Sequence, residues 1–230
     1  MRLFSAALVL LATSAAHAAS PSDIQSTYRI FKNGILIGQV NEHFTRDAET
    51  YRIVSETRSD GALNWFVHDK ITITSEGRVT AGGLQPARYE SARESDPSRT
   101  LRATFNWEKN IMTSEHDGKT EQVSLQPGTQ DRLSVMYQYM LSMPYSPEVR
   151  QWMSNGRSVE QYLYRKQADA ALKTLAGDFD TVHYSRDAKP GEDKAELWLA
   201  KDRYFLPVRI VFEDRKGSRL DQTLVNLSTK

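Results

Sequence analysis

Along most of the chain, apolar and polar residues alternate with period two, and turn residues interrupt the alternation roughly every 10 to 12 residues. Both features predict short antiparallel strands. Thr27 to Lys32 and Ile35 to Thr45 flank Asn33-Gly34, a pair that tolerates positive φ at both central positions of a tight hairpin. In the second of these runs Leu36, Val40 and Phe44 share one face. Thr50 to Arg58 puts Tyr51 and Ile53 on one side, Arg52 and Glu56 on the other. Lys70 to Ser75 is rich in β-branched residues, and Ala87 to Arg93 follows the punctuation of Gly82-Gly83 and Pro86. Leu101 to Trp107 and Ile111 to Glu115 form a second hairpin, and Asp117-Gly118 supplies a third turn. Strands resume at Ser158 to Lys166 and at Leu172 to Arg186, the latter broken near Gly177. Ala195 to Ala200, Pro207 to Glu213 and Arg219 to Leu227 complete a C-terminal meander.

One segment keeps a different period. From Asp131 to Met143, Leu133, Met136, Tyr137, Met140 and Leu141 recur at spacings of three and four, the stripe of an amphipathic helix. Thr129, Gln130 and Asp131 stand at its start, where side-chain oxygens satisfy the orphan N–H groups of a first turn; they are assigned as a structural cap. The same three polar side chains are also of a kind that holds a ligand head group at a helix start. Pro144 ends the helix inside an aromatic loop, Met143 to Pro147, and Glu148 to Met153 reads as a further helical turn. The expected architecture is mainly β. It is a single strongly curved antiparallel sheet, a half-barrel or open barrel, with one amphipathic helix on its concave side. Residues 19–230 form one domain in this reading, since no linker or repeat divides them.

The first 18 residues change the picture of where the chain works. Arg2 precedes an apolar run from Leu3 to Leu11, and small residues lead to Ala16-His17-Ala18, an A-x-A cleavage signal. This predicts export to the periplasm and a mature N-terminus at Ala19. No later segment approaches the ~20 apolar residues of a spanning helix. The chain has no cysteine, so disulfides and thiol catalysis are both excluded. Its 30 basic and 29 acidic residues balance, which leaves no electrostatic footprint for nucleic acid.

Motifs for chemistry are sparse. His43, His68, His116 and His183 follow no metal-ligand spacing. No serine sits in G-x-S-x-G, and Gly82-Gly83 lacks the Lys-Ser/Thr of a phosphate loop. The pairs Glu90/Glu94, Asp47/Glu49 and Glu192/Asp193 lie in loops or on solvent faces. No cofactor or metal is implied. The candidate ligand-binding residues are Leu133, Met136, Tyr137 and Met140 on the helix stripe, where methionine offers an adaptable wall, with Trp65 and Phe66 from a run that does not alternate cleanly.

Gly128-Thr129-Gln130-Asp131-Arg132-Leu133-Ser134, together with Trp198-Leu199-Ala200-Lys201-Asp202 and Leu206-Pro207-Val208-Arg209-Ile210, resembles the domain-of-unknown-function 3108 family. The resemblance implies an exported bacterial protein and carries no activity with it. The order of elements is also similar to that of the periplasmic lipoprotein-carrier (Lol) proteins, which implies an apolar cavity between sheet and helix. Three readings of function stay open. One is non-enzymatic binding of a lipid, another apolar small molecule or an envelope protein. The others are an envelope enzyme acting on glycan or lipid with acids from separate strands, and a protein interaction module.

Overall fold

The structure, a computed structural model, describes residues 20–59, 70–142 and 146–230. The leader, the Trp65–Phe66 run, His68 and the loop tip at Met143 to Tyr145 lie outside the described residues. The described residues begin with eight strands: β1 (Asp23–Lys32), β2 (Ile35–Arg46), β3 (Thr50–Ser59), β4 (Lys70–Thr80), β5 (Gly83–Arg93), β6 (Leu101–Asn106), β7 (Ile111–His116) and β8 (Lys119–Ser124). A two-residue strand β9 (Gln130–Asp131) leads into α1 (Ser134–Leu141). The second half comprises β10 (Glu148–Ser154), β11 (Val159–Lys166), β12 (Ala170–Thr174), β13 (Gly177–Arg186), β14 (Lys194–Ala200), β15 (Leu206–Glu213) and β16 (Arg219–Thr229).

All the strands join one sheet in the order β8-β7-β6-β5-β4-β3-β2-β1-β16-β15-β14-β13-β11-β10-β9, with β12 paired to β13 off this path. The chain therefore runs outward from β1 as a meander to one edge, and returns as a second meander that ends beside β1. The ladders are antiparallel except for β9 beside β10. Local chemistry sets the turns. Asn33 and Gly34 take φ of 50° and 83°, and Asp117 and Gly118 take 50° and 71°, the two positive values a tight hairpin needs to match strand twist.

The helix lies between β9, at one edge of the sheet, and β10. α1 packs against β5, β9 and β15, so it lies inside the curve of the sheet and touches both halves. Leu133, Tyr137 and Met140 join Ile24, Phe44, Tyr51, Ile53, Leu84 and Leu206 in one cluster. Val135 and Tyr139 join Tyr164, Val182, Tyr184, Leu197, Leu199 and Phe205 in another. Hence α1 is buried nearly all round, and its apolar surface is wider than the stripe the sequence pattern outlines.

Two expectations are corrected here. The helix begins at Ser134, because Gln130 and Asp131 pair in parallel with Met153 and Ser154. Glu148 to Ser154 is a strand whose seven residues all pair with β11. Val149 and Trp152 are three apart, a spacing that fits a helical turn, and the ladder to β11 overrides it.

Candidate functional site

The concave face is built row by row, since directly opposed residues of an antiparallel ladder share a face. One row runs Ile24, Phe44, Ile53, Ser75, Tyr89 across β1 to β5. The next runs Ser26, Glu42, Ser55, Ile73, Ser91, and the third Tyr28, Val40, Thr57, Ile71, Arg93. The first row is filled by α1: the Tyr137 ring stacks on Phe44 at 4.7 Å between centroids. The outer rows carry polar residues at inward positions, which need partners to be tolerated there.

Two carboxylates meet the helix. The Tyr137 hydroxyl donates to Glu42 Oε2 at 3.0 Å, and Ser55 Oγ donates to Oε1 at 3.1 Å. Burial pushes the Glu42 carboxyl above its ordinary value, although these donors oppose the shift. Asp131 accepts the backbone N–H groups of Leu133 and Ser134 on Oδ1, at 2.9 and 2.8 Å. Its Oδ2 accepts Ser75 Oγ at 2.5 Å. Because the Ser75 proton goes to the carboxylate, Tyr51 donates to Ser75 at 3.0 Å. Burial is again the largest influence and raises the Asp131 carboxyl.

The residues assigned from sequence as a cap separate into different roles. Asp131 bonds the turn that enters α1. Thr129 Oγ1 instead donates to the Gln126 carbonyl at 2.7 Å, and Gln130 Nε2 donates to the Leu84 carbonyl at 2.7 Å. Neither reaches the helix start, which lies beyond them once β9 has formed. Gln138 of α1 accepts the Leu84 N–H at 2.7 Å and donates to the Gly82 carbonyl at 2.9 Å. Two glutamines thus hold both backbone groups of Leu84. A Cβ on Gly83, whose φ is +100°, would stand 2.4 Å from the Gln138 amide, so this close approach requires glycine.

Of the candidate ligand-binding residues, Leu133, Tyr137 and Met140 are buried in the packed cluster. Met136 is half-buried and contacts both clusters around the helix. None of the four lines either of two clefts that stand out among the described residues. The smaller cleft, about 160 Å³, lies on the second and third rows of the concave face and is lined by Ile71, Ser91, Arg93, Arg99, Leu101 and Arg157. Ile73 sits behind it, packed against both the helix cluster and the cluster of Tyr89 and Leu101. The larger, about 310 Å³, is shallow, and its wall includes Arg102, Glu115, Asp117 and Lys119. Four of the acids considered from sequence are engaged at the surface: Glu90 with Arg102, Asp47 with the N–H groups of Glu49 and Thr50, Glu192 with Arg186 and Asp193 with Arg215. His183 pairs with Glu196 at 2.9 Å and stacks on Trp198. No group of three or more His, Asp or Glu among the described residues is placed to hold a metal ion.

The two quoted motifs meet at the helix: α1 follows the first, and Phe205 and Leu206 at the start of β15 pack against it. The family described as "Protein of unknown function (DUF3108)" matches residues 26–225, which takes in both. The chain belongs to the DUF3108 family. Among solved structures, this DUF3108 chain is similar to a β-barrel-like protein of the DUF1849 family from Brucella abortus. The identity is 11% and the TM-score 0.59, over 93% of this chain and 100% of that one. At such identity the likeness is one of fold. A protein from Bacteroides fragilis described as exported, with a YmcC-like fold, matches at 10% identity and a TM-score of 0.36, over 90% of this chain and 95% of that one. No curated protein matches. No helix among the described residues of the DUF3108 chain is long and apolar enough to cross a membrane.

Glu42, Ser55 and the arginines of the inner cleft have no motif in the sequence. Glu42 could nonetheless have been found by pattern. It falls two positions from Val40 and from Phe44, on the face those residues turn to the core. Arg93, Arg99 and Arg157 come from separate elements and give no local signal.

Proposed function

We propose that the protein is exported through its leader to the periplasm and there binds an apolar molecule without transforming it. The observation that carries this reading is the inner cleft. Ile71 and Leu101 present apolar wall on the concave face at a place where α1 leaves about 160 Å³ open. That volume is about half that of the smallest typical ligand pockets, ~300 Å³. It seats one end of a ligand, and the remainder lies along the open side. Met136, half-buried and packed against both clusters around the helix, is the helix residue that repacks most readily. Methionine's unbranched side chain repacks at low cost.

Two measurements test the reading. Protein isolated from its native envelope should carry an extractable apolar molecule by mass spectrometry, and its N-terminus should be Ala19. Recovering Met1 on the purified protein would reject export with cleavage. Delipidated protein should bind the neutral dye Nile red while folded. Ile71→Trp, which fills the cleft, should weaken the dye by about tenfold, ~1.4 kcal/mol, at nearly unchanged urea midpoint. Delipidated protein that takes up no dye would leave the concave face as closed core and overturn the reading.

A further inference from the structure

We propose that the inner cleft is a phosphomonoester site, and that the molecule it takes carries this group on an apolar chain. The chain half of the proposal rests on the function proposed above; the head-group half stands on the arginines.

Three elements deliver the guanidinium groups. Arg93 ends β5, Arg99 closes the 3₁₀ turn Pro97–Arg99 between β5 and β6, and Arg157 lies in the β10–β11 turn. All three line the same cleft of about 160 Å³. Arg157 is brought there by construction. Gly156 takes φ of +89°, and a Cβ on it would stand 2.8 Å from Leu101 Cδ2 and 3.1 Å from the Tyr89 ring. The turn is therefore seated on the inner wall, and it is fixed by Asn155 Oδ1, which accepts the N–H groups of Arg157 and Ser158 at 2.8 and 2.9 Å. Arg157 also pairs with Asp117 at 3.1 Å. Arg93 is likewise engaged in an interaction of its own. A guanidinium has five donors, so one partner on each of these arginines leaves donors for a second acceptor.

The arrangement favours a phosphate over a carboxylate. One guanidinium fork is enough to match the two oxygens of a carboxylate. Arginines that border one cleft from three separate elements suit the three terminal oxygens of a phosphomonoester, whose charge of about −1.5 to −2 at neutral pH they also offset. The Ser91 hydroxyl, on the same wall, is a further donor. Ile71 and Leu101 complete that wall, and they suit the first carbons of an attached chain.

Decyl phosphate, decanol and inorganic phosphate separate the parts. Each is titrated into delipidated wild-type protein and into Arg99→Glu and Arg157→Glu by calorimetry, with Nile red displacement in parallel. Both arginines are exposed, so the variants should keep the wild-type circular dichroism and urea midpoint. Decyl phosphate should bind more tightly than decanol and than inorganic phosphate. Each variant should lose about tenfold in decyl phosphate affinity and none for decanol, and added salt should narrow the difference. Equal binding of decyl phosphate and decanol, or variants that bind decyl phosphate as the wild type does, would overturn the inference and leave apolar binding standing. Inorganic phosphate bound as tightly as decyl phosphate, with no Nile red uptake, would overturn the amphiphile together with the function proposed above.

Discussion

Asp131 and Glu42 are inward-facing carboxylates that no Lys or Arg neutralises among the described residues. Such groups are tolerated when hydrogen bonds replace hydration, and here the donors are hydroxyls and backbone N–H groups. Asp131→Ala would orphan two backbone N–H groups and Ser75, at about 1–3 kcal/mol for each buried group left unpaired. Asp131→Asn keeps an oxygen for the N–H groups and puts its amide on Ser75 Oγ, so its loss should stay within about 1 kcal/mol. Urea titration of the two variants checks the contrast. Glu42 makes a prediction in pH. Its folded value is raised above the ordinary 4.5, so the folded state holds the proton more tightly than the unfolded state does. The contribution of this group is greatest below the unfolded value and is lost as pH rises through the folded one. Glu42→Gln should therefore match the wild type at low pH and gain on it as pH rises above 4.5; a constant gap in urea midpoint across that range would contradict the assignment. The alternation around Val40 and Phe44 is consistent with an inward position 42. It did not show that Tyr137, 95 residues away, would supply the donor, because that pairing exists only once α1 lies across β2.

At the scale of elements, α1 is short. Its eight residues span about 12 Å at 1.5 Å per residue, against the ~20 Å of the helix expected from the apolar spacing. Periodicity marked the right residues and missed the boundary, because Gln130 and Asp131 obey the strand β10 beside them. What holds the helix is tertiary. Gln138 and Gln130 fix Leu84, Phe44 stacks on Tyr137, and Phe205 and Leu206 press from β15. Tyr204 and Phe205 hold left-handed φ of 53° and 55°, a conformation that costs about 1–2 kcal/mol per non-glycine residue; packing Phe205 beside Val135 and Tyr139 helps offset it. Met140→Ala or Leu133→Ala should cost about 2–5 kcal/mol in urea unfolding. Gln138→Ala should cost about 1–3 kcal/mol, because the Leu84 N–H then loses its acceptor. A Met140→Ala loss below about 1 kcal/mol would mean that this face of α1 is not packed core.

The meander from β1 to β8 and the C-terminal meander were legible, because turn residues and alternation repeat along the sequence. Their junction was not, since no local rule pairs the first strand with the last. In the structure β16 lies between β1 and β15, and the Ser22 N–H donates to the Lys230 carbonyl at 2.8 Å. The C-terminal strand is thus a central strand of the sheet, while β8, in mid-chain, is an edge. This inverts the usual tolerance for trimming termini, which depends on how much buried, hydrogen-bonded backbone is removed. Cutting the chain after Gly217 would remove β16 and strip partners from two neighbours. It would also take Leu224, which packs with Tyr28, Val40 and Val208, and Leu227, which packs against the helix cluster. The truncated protein should lose its cooperative urea transition altogether, read by tryptophan fluorescence and circular dichroism. Replacing Glu121 and Gln122 on the edge strand β8 by lysine, by contrast, should shift the midpoint only modestly, since both side chains are exposed and solvent-facing substitutions usually change stability by about 0.5 kcal/mol or less. If the truncation retained a sharp transition, the two meanders would be separate folding units, and the interior that α1 and the inner cleft share would no longer depend on the β1–β16 junction.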